Sequence, residues 1–402
     1  MIDTTAITNA LKYYYRKGTS VVTYDAKHRP LFTELKKNEE FAGKGMPIPV
    51  IWAESGSRSA TFATAQTNSE GGEIAEFMID VVEDHGVSQM TNKALKRARN
   101  DLGAFLKGQK LLVDGIMRQM ANALESSLFR TSSGNIGTVD ANGVTSHVFT
   151  LDDIDDIVNF YVGQHIVAAA SVTSSLRTNA AEVTALDLDT GEITMSLTPT
   201  SMAAGDVIFN EGDYVSSSDT LKVSGLADWI PATAPTGGDD FFGQDRSADP
   251  GRLAGRRATG SLSDIEGSII DALSSTGRDT PVPQDTAWMS FSTFRKLTKQ
   301  MGVQVQRAPG GTAKGGYRYI EIDGPKGTVK CRPAPFCQPN IVWLLAMETW
   351  ELVSMGEAIT LDDVDGMKMQ RVSNASAQEV RIFSFPQLAC DKPGANARLT
   401  LS

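Results

Sequence analysis

The feature that most constrains this chain is a thirty-residue stretch with helical periodicity, DLGAFLKGQKLLVDGIMRQMANALESSLFR at residues 101–130. Its apolar residues recur at helical spacing and lie on one stripe, opposite lysines, arginines and glutamines. The stripe consists of Leu102, Phe105, Leu106, Val113, Ile116, Met117, Met120, Leu124 and Leu128. Thirty helical residues extend over about 45 Å, and no second helix of similar length is predicted to pair with it.

The composition indicates a folded protein with an uneven charge. At 402 residues the chain is long enough for two or more compact regions, and 41% apolar with 21% charged residues is ordinary for a soluble protein. The net charge of −10 argues against a dedicated nucleic-acid-binding protein, which needs a basic excess. Residues 86–130 nevertheless carry eight basic and three acidic side chains, a net +5, which leaves −15 for the remainder. This basic band predicts either a solvated helix face, which is the favoured interpretation, or contact with a polyanion on one side.

Cysteine usage and the apolar runs indicate where the chain resides. Cys331, Cys337 and Cys390 are an odd and sparse set, which is typical of a reducing compartment and not of a disulfide framework. The N-terminal sequence MIDTTAITNALKYYY has no basic-then-apolar signal pattern. The longest continuous apolar run, IVWLLAM, is far shorter than a membrane span. We therefore expect a protein that is made in the cytoplasm, is soluble there and has no membrane partner.

Two segments are predicted to lack sufficient contacts of their own. Residues 1–42 are polar without a sustained period, which is typical of an extended arm. Residues 43–85 contain β-favouring runs separated by the turn clusters ESGS and NSEGG, which predict a long hairpin projecting from the body. Because an isolated hairpin is marginally stable in water, this hairpin needs a neighbour.

The remaining chain is predicted to mix helices and strands. A capping-box pattern at Thr150 predicts a helix through LDDIDDIVNFYVGQHIVAA, and Ser263 with Glu266 predicts another through SLSDIEGSIIDALSSTG. SFSTFRKLTKQMG predicts a third helix. Alternating residues at 180–223, with a hairpin turn at DTGE, predict a small β-rich module. The C-terminal segments VWLLAMETWELVSMG, KMQRVS and EVRIFSFPQLACDKPG are predicted to be strands.

No motif raises an enzymatic function above background. The histidines at 28, 85, 147 and 165 are not at metal-ligand spacing from one another or from a cysteine, and no HExxH or GxSxG motif is present. GGTAKGG lacks the order of a phosphate-binding loop, and LDDVDGMKM resembles a calcium loop only at its start. We therefore expect no catalytic residue, no cofactor and no metal.

The arm and the hairpin indicate a self-assembling protein. Elements that are unstable alone have to be completed by other chains. Copies that each donate an arm and a hairpin to the next make head-to-tail contacts, which close into rings or extend into shells.

Several segments, in their order along the chain, resemble one family. EIAEFMIDVVEDHGVSQMTNKALKRARN and the long helix after it are similar to the return strand of an E-loop and a spine helix, and RTSSGNIG resembles the glycine-rich exit. FFGQDRSADPGRLAG with SLSDIEGSIIDAL, and AWMSFSTFRKLTKQMG, are similar to A-domain segments. IVWLLAMETWELVSMG and EVRIFSFPQLACDKPGA resemble the closing strands. The family is the major capsid protein of tailed bacteriophages, which has the HK-ninety-seven-type fold.

The resemblance implies an α+β fold in five parts. These are an N-terminal arm (1–42), an E-loop (43–85), a P-domain with the spine helix (86–149), an A-domain (150–340), and returning P-domain and A-domain strands (341–402). The β-rich module at 180–223 is then an insertion in the A-domain. Four spine-helix residues are expected to form the core against the P-domain sheet, namely Leu106, Ile116, Met120 and Leu124.

The resemblance also implies a function and partners. The chain is expected to be a structural major capsid protein whose pentamers and hexamers form an icosahedral shell around the phage genome. It is expected in the virion, after assembly in the cytoplasm of a host bacterium. A separate scaffolding protein, a portal, a candidate decoration protein and non-specific contact with packaged double-stranded DNA are implied. Two alternatives stay open: another phage structural protein, such as a tail-tube or decoration protein, and, less favoured, a hydrolase with a spatially assembled site.

Two groups of residues are candidate contact sites. Trp52 and Phe62 on the hairpin are predicted anchors on a neighbouring copy, and packing inside their own subunit is an equally open alternative. Arg58, near the turn, is expected to pair with an acidic residue of that neighbour. The second group precedes the long helix and consists of Lys93, Lys96, Arg97 and Arg99. These either face the packaged genome or form salt bridges between subunits, and the second interpretation is slightly favoured.

Overall fold

The computed structural model describes residues 29–92, 102–214, 221–301, 319–362, 370–372 and 375–402, and for residues 102–112 it describes the backbone alone. Helices make up 22% and strands 39% of the structure, which confirms the predicted α+β class.

The helices differ widely in length. In chain order they are α1 (Pro30–Glu34), α2 (Phe62–Thr67), α3 (Leu102–Phe129), α4 (Leu226–Trp229), α5 (Pro250–Leu253), α6 (Ile265–Thr276) and α7 (Phe291–Met301). Short 3-10 helices span Ile154–Asn159, Met347–Thr349 and Pro393–Ala395. The predicted long helix is confirmed as α3, which has 28 residues. None of the described helices combines the length and the apolar character that crossing a membrane requires.

The strands are mostly short. The first part of the chain contributes β1 (Lys36–Asn38), β2 (Met46–Ala53), β3 (Glu73–Ile79), β4 (Asp84–Thr91), β5 (Asn135–Thr145), β6 (Val148–Leu151), β7 (His165–Ala169), β8 (Ala181–Asp187), β9 (Glu192–Met195), β10 (Val207–Asn210), β11 (Asp240–Phe241) and β12 (Gln244–Asp245). The second part contributes β13 (Arg256–Gly260), β14 (Thr286–Met289), β15 (Ile320–Gly324), β16 (Gly327–Pro333), β17 (Ile341–Leu345), β18 (Trp350–Ser354), β19 (Thr360–Leu361), β20 (Gln370–Arg371), β21 (Ala377–Ser384), β22 (Pro386–Cys390) and β23 (Ala397–Leu401). The strands predicted in the C-terminal segments are confirmed.

Helix α3 packs against β4, which pairs antiparallel with β21 in a four-stranded sheet that also contains β19 and β20. Gly86 on β4 lies directly under the helix. A Cβ atom there would be 3.0 Å from Cγ1 of Ile116 and 3.0 Å from Sδ of Met120. The glycine therefore allows the helix and the strand to approach closely.

The apolar stripe of α3 lies in the main core of the molecule. The buried members of the stripe in the described part are Val113, Met117, Met120, Leu124 and Leu128. Ile116 is half-buried against the same core. The side chain of Leu106 lies outside the described part of the helix, so its place in the core stays a prediction.

A six-stranded mixed sheet separates two cores. Its strand order is β13-β23-β17-β14-β16-β15. On one face, Ile269 of α6 and Leu297 of α7 pack in a core with Val342 of β17. On the opposite face, Trp288 of β14 and Trp343 of β17 belong to the main core that includes α3. A three-stranded sheet in the order β1-β18-β22 also contributes to the main core through buried residues of β18 and β22.

The β-rich module is a closed barrel with the strand order β10-β5-β6-β9-β8-β7. It has its own core, which includes Phe149, Val183 and Ile208. The predicted hairpin at DTGE is confirmed, since β8 and β9 pair antiparallel on either side of it. The barrel nevertheless begins at β5 and ends at β10, so it includes strands that precede the predicted range of 180–223. The predicted boundary between residues 149 and 150 falls inside β6.

The helix predicted to start at Thr150 is wrong. These residues form the end of β6, a 3-10 turn and then β7. The carboxylate of Asp153 accepts a hydrogen bond from the N–H of Asp155 at 3.0 Å and caps only this short turn. Gly163 has a φ of +88°, which an α-helix does not accommodate. Closure of the barrel thus overrides the local capping signal.

Helix α6 confirms the predicted helix but not its cap. The N-cap is Asp264, whose carboxylate accepts the N–H of Gly267 at 2.9 Å. The predicted cap residue, Ser263, instead has its hydroxyl 2.8 Å from that of Ser261. Aspartate is among the strongest N-cap residues. Asp264 therefore caps the helix, and the predicted capping box of Ser263 and Glu266 does not form. Helix α7 confirms the third predicted helix.

Candidate assembly surfaces

The hairpin of β2 and β3 is fixed to the body by one face of its base. The strands pair antiparallel, and side chains of β3 alternate between the two faces of the hairpin. Ala75, Phe77 and Ile79 point inward and are buried. The Phe77 ring lies 5.4 Å from the ring of Trp229, centroid to centroid. The base of the hairpin therefore belongs to the main core.

The opposite face of the hairpin is exposed and mainly apolar, with Glu76 between Ile74 and Met78. Ile51 and Ile74 lie directly opposite each other on the two strands and are 69% and 62% exposed. Met78, which is 48% exposed, lies opposite the exposed Pro47. Opposite residues of an antiparallel pair are neighbours, so these four residues line one face, which we call the outer patch. Apolar side chains grouped on a surface in this way mark a contact site for another molecule.

The tip of the hairpin, residues 54–72, extends beyond the part that contacts the body. Every residue of the tip is exposed except Ala65, which is half-buried. Phe62, at the start of α2, is 82% exposed. Arg58 is also exposed and has no ion pair within the described part of the chain.

The three hairpin residues that the sequence singles out thus lie in two different places. Trp52 is half-buried against the main core of its own chain, whereas Phe62 and Arg58 lie on the tip. Sequence reasoning missed the outer patch. The available signal was the segment EIAEFMI, in which Ile74 and Met78 occupy the positions that a half-buried strand normally gives to polar residues.

Trp52 also marks an irregularity in β2. The pairing register between β2 and β3 shifts between Ile51 and Ala53, which is the position of a β-bulge. The carbonyl oxygen of Trp52 accepts a hydrogen bond from Nη1 of Arg252 at 2.7 Å. Arg252 is the last residue but one of α5 and was also missed, because no local pattern connects it with the hairpin.

The end of the predicted arm is built into the body of its own chain. Leu31 and Phe32 on α1 are buried, and their N–H groups donate to the two carboxylate oxygens of Glu125 at 3.0 and 2.7 Å. Strand β1 then pairs parallel with β18. The last part of the predicted arm, residues 29–42, thus packs against the body of its own chain. Residues 1–28 lie outside the described part of the chain.

Glu125 is a fully buried carboxyl group on α3. Burial raises its pKa from 4.5 to about 7, and the two backbone donors and the nearby Arg29 oppose this shift only in part. The guanidinium of Arg29 donates to Oδ1 of Asn122 at 2.6 Å, which adds a second polar contact between α3 and this segment. The burial of Glu125 was predictable from the sequence, because this residue follows Leu124 directly and lies beside the apolar stripe.

The second group of candidate contact residues, at 93–99, lies outside the described residues. Neither the position nor the contacts of its members are described, namely Lys93, Lys96, Arg97 and Arg99. Their contact with packaged DNA or with a neighbouring subunit therefore stays a prediction.

The described residues do not form a recognisable catalytic arrangement. The Cys331, Cys337 and Cys390 thiols are buried, and burial raises the pKa of each, to about 12 for Cys331, so they differ from reactive thiolates. Nδ1 of His147 lies 2.8 Å from Oγ1 of Thr198 on the exposed surface of the barrel, and within the described residues no carboxylate orients this ring. Across the same residues, no three histidine, cysteine, aspartate or glutamate side chains come together to hold a metal ion.

Comparison with known structures identifies the fold. The capsid asymmetric unit of Cyanophage A-1(L) contains a chain that matches with a TM-score of 0.50 and 11% identity, over 93% of this chain and 92% of that chain. The capsid of the native GTA particle gives a TM-score of 0.49 and 8% identity, over 92% and 89%. The virus-like particle from Pyrococcus furiosus gives 0.40 and 10%, over 94% and 96%. No protein-family model and no curated protein matches the sequence. The likeness to the cyanophage chain shows that this chain has the fold of phage capsid subunits, which confirms the predicted fold.

Proposed function

We propose that this chain is a major capsid protein, the structural subunit of an icosahedral shell that encloses a phage genome. The observation that carries the proposal is the hairpin. Its inner face completes the core of its own chain, whereas its outer patch and its tip are exposed and apolar residues such as Ile74 and Phe62 have no cover there. A capsid fold with such a hairpin is suited to self-assembly.

A second copy of the chain is the natural cover for the hairpin. Burial of apolar surface stabilises a contact by roughly 25 cal/mol per Å², so the isoleucines of the outer patch contribute directly. The proposed receiving surface is a different part of the neighbouring copy, which makes the proposed contact head-to-tail. Repeated contacts of this kind close into rings, here pentamers and hexamers, and rings join into a shell.

The residue roles follow from their positions. We assign the contacts with the neighbouring copy to Phe62, Arg58 and the outer patch. Trp52, which is half-buried against its own core, supports the base of the hairpin instead. The basic group of Lys93, Lys96, Arg97 and Arg99 is proposed to form salt bridges between subunits or to contact the packaged DNA.

The five-part division predicted from the sequence is proposed for the whole chain. Residues 1–42 are the N-terminal arm, 43–85 the E-loop, 86–149 the P-domain, 150–340 the A-domain and 341–402 the returning strands. The barrel lies across the boundary between the P-domain and the A-domain and is an insertion into the capsid fold. The described segment 29–42 anchors the arm through Glu125.

The proposed role is structural and not enzymatic. The subunit is proposed to reside in the virion after assembly in the cytoplasm of a host bacterium. A separate scaffolding protein, a portal and a decoration protein are its proposed protein partners, and packaged double-stranded DNA is a non-specific one.

Negative-stain microscopy of the purified, concentrated protein tests this proposal. We expect closed icosahedral shells. Tubes would instead indicate a tail-tube protein. Small discrete particles would indicate a decoration protein or a hydrolase.

A variant with a shortened hairpin tests the role of the tip in assembly. The N–H of Gly56 donates to the carbonyl of Glu70 at 2.8 Å, so a two-residue Asn-Gly turn is able to replace residues 57–69. We expect this variant to fold with an unchanged melting temperature and to form no shells. Normal shells from it would refute the assignment of the hairpin tip to assembly.

A further inference from the structure

The inner face of the hairpin changes from buried to exposed at the bulge in β2. Before the bulge, Val50 is buried in the main core, and after it all of residues 54–64 are exposed. A β-bulge bends its strand and increases the local twist, so it re-aims the residues that follow. The conformation at Trp52 therefore determines the direction in which the tip points.

One side chain from the body holds this bulge. Nη1 of Arg252 donates to the Trp52 carbonyl at 2.7 Å, which satisfies a backbone acceptor at the point where the pairing register shifts. The backbone of Arg252 is itself fixed, because the carboxylate of Asp249 caps α5 and accepts the Arg252 N–H at 3.0 Å. The guanidinium is thus presented to the hairpin from a defined position.

The other side of the guanidinium is tied to a different part of the molecule. Nη2 of Arg252 donates to Oδ1 of Asp279 at 3.3 Å, and Nη2 of Arg256 donates to Oδ2 of the same carboxylate at 2.7 Å. Asp279 follows α6, which packs on the six-stranded sheet, and Arg256 begins β13 of that sheet. The contacts from Trp52 through Arg252 to Asp279 therefore connect the hairpin to the six-stranded sheet and fix its orientation relative to that sheet.

A small rotation at the bulge is amplified at the tip. Since a strand rises about 3.3 Å per residue, the tip extends well past the bulge, and even a small rotation there displaces it by several ångströms. A displacement of that size changes which atoms of a neighbouring copy the tip contacts.

We propose that Arg252, held by Asp279, is the positioning residue that sets the direction of the hairpin tip and thereby the curvature of the assembled shell. The part that concerns curvature rests on the capsid function proposed above. The part that concerns the direction of the tip applies to the single subunit and does not depend on assembly.

Three variants and one control test this role. Arg252→Ala removes the donor to Trp52, Arg252→Lys keeps the charge without the forked geometry, and Asp279→Asn leaves Arg252 in place but weakens its support. Arg278→Ala is the matched control, because this exposed arginine has no ion pair within the described residues.

Hydrogen exchange in dilute, unassembled subunits reports on the tip. The N–H of Gly56, which is bonded to Glu70, is the probe, and β17 is the reference for global stability. We expect exchange at Gly56 to rise roughly tenfold in Arg252→Ala, less in Asp279→Asn and Arg252→Lys, and not in Arg278→Ala, with β17 unchanged. Unchanged exchange at Gly56 in Arg252→Ala overturns the proposal. Equal acceleration at β17, or failure of both Arg252→Ala and Asp279→Asn to fold, also overturns it, because either result assigns a purely structural role.

Microscopy of the assembled variants tests the curvature. We expect Arg252→Ala and Asp279→Asn to form particles with a broadened or shifted distribution of diameters, and Arg278→Ala to match the wild-type chain. If Arg252→Ala and Asp279→Asn both form particles with wild-type diameters, the link to curvature is wrong, but the proposed capsid function is not affected. If the wild-type chain itself forms no shells, the capsid function fails, and the exchange measurement still decides the role of Arg252.

Discussion

Helix α3 and the β2–β3 hairpin both carry apolar side chains at the period of their secondary structure, but these side chains are covered in different ways. On α3, each stripe residue whose side chain is described is buried or half-buried in the main core of the same chain. On the hairpin, Phe77 and Ile79 are buried on one face, while Ile51 and Ile74 are exposed on the other. The described stripe of the helix is covered within one subunit, and the outer face of the hairpin is not.

This difference separates folding from assembly within one chain. The packing of α3 against β4 and the main core supplies stability to the single subunit. The outer patch contributes little to that stability, because its side chains are exposed in the folded state. Substitutions on the helix should therefore act on folding, and substitutions on the outer face of the hairpin should act on assembly.

The largest effect is expected from a charge in the core of α3. Leu124→Asp places a carboxylate at a position that is 4% exposed and removes an apolar side chain. We expect a loss of about 4 kcal/mol or more in the free energy of unfolding, which leaves little soluble protein. Gln119→Asp on the exposed side of the same helix is the control and should remain soluble. Soluble Leu124→Asp with a wild-type urea midpoint would show that this face of α3 is not a core face.

A smaller effect is expected where the chain crosses the end of α3. A Cβ atom on Gly225 would lie 2.2 Å from the carbonyl oxygen of Ser127 and 2.5 Å from that of Arg130. Gly225→Ala should therefore lower the free energy of unfolding by roughly 2–4 kcal/mol, as measured by urea denaturation. Gly237→Ala, where no atom lies within 4 Å, should be close to neutral. Equal midpoints for the two variants would contradict the close packing at this end of the helix.

The buried carboxyl of Glu125 should make stability depend on pH. Its pKa is raised from 4.5 to about 7, so the folded state retains a proton that the unfolded state releases in this interval. The stability that this group contributes is present in full below pH 4.5 and is lost as the pH rises through about 7. Relative to Glu125→Gln, the wild-type chain should lose about 3 kcal/mol of unfolding free energy over this window.

Urea denaturation of both chains from pH 4.5 to pH 8 measures this effect. The difference between their free energies of unfolding removes the contribution of the other titrating groups, which both chains share. A difference that does not change with pH would show that Glu125 stays ionised in the folded protein. Its two backbone contacts with Leu31 and Phe32 would then outweigh the cost of burial.

The smallest effect on stability, and a large one on assembly, is expected at the outer patch. Ile74→Asp alters a residue that is 62% exposed, so the free energy of unfolding should change by less than about 1 kcal/mol. Sedimentation velocity should nevertheless show subunits without shells. Ile74→Val, which keeps the apolar surface, should assemble normally. Shells from Ile74→Asp in normal yield would mean that the patch is not an assembly contact.

Elements with strong local signals were predictable from the sequence. The period of the apolar residues predicts α3, and a local capping pattern predicts α6, although Asp264 and not Ser263 is its N-cap. The helix predicted at Thr150 failed because β6 and β7 are defined by closure of the barrel, which is a long-range property. The burial of Leu31 and Phe32 was equally hidden, since it depends on Glu125, more than ninety residues away.

The candidate assembly surface was predictable only in part. The turn clusters around residues 54–72 predict an exposed tip, which places Arg58 and Phe62 correctly at the surface. The role of Trp52 as the bulge residue was not predictable, because the bulge depends on pairing between β2 and β3. The contact between Trp52 and Arg252 joins residues that are 200 positions apart, and nothing in either local sequence indicates it.

The most direct measurement of the central claim is the accessibility of the hairpin tip before and after assembly. Ala63 is exposed on α2, and Ala63→Cys introduces a small reactive thiol there, while the three native cysteines are buried. We predict rapid labelling by a maleimide reagent in free subunits and strong protection in assembled particles. Equal labelling rates in the two states would show that the tip has no partner in the particle and would contradict the account.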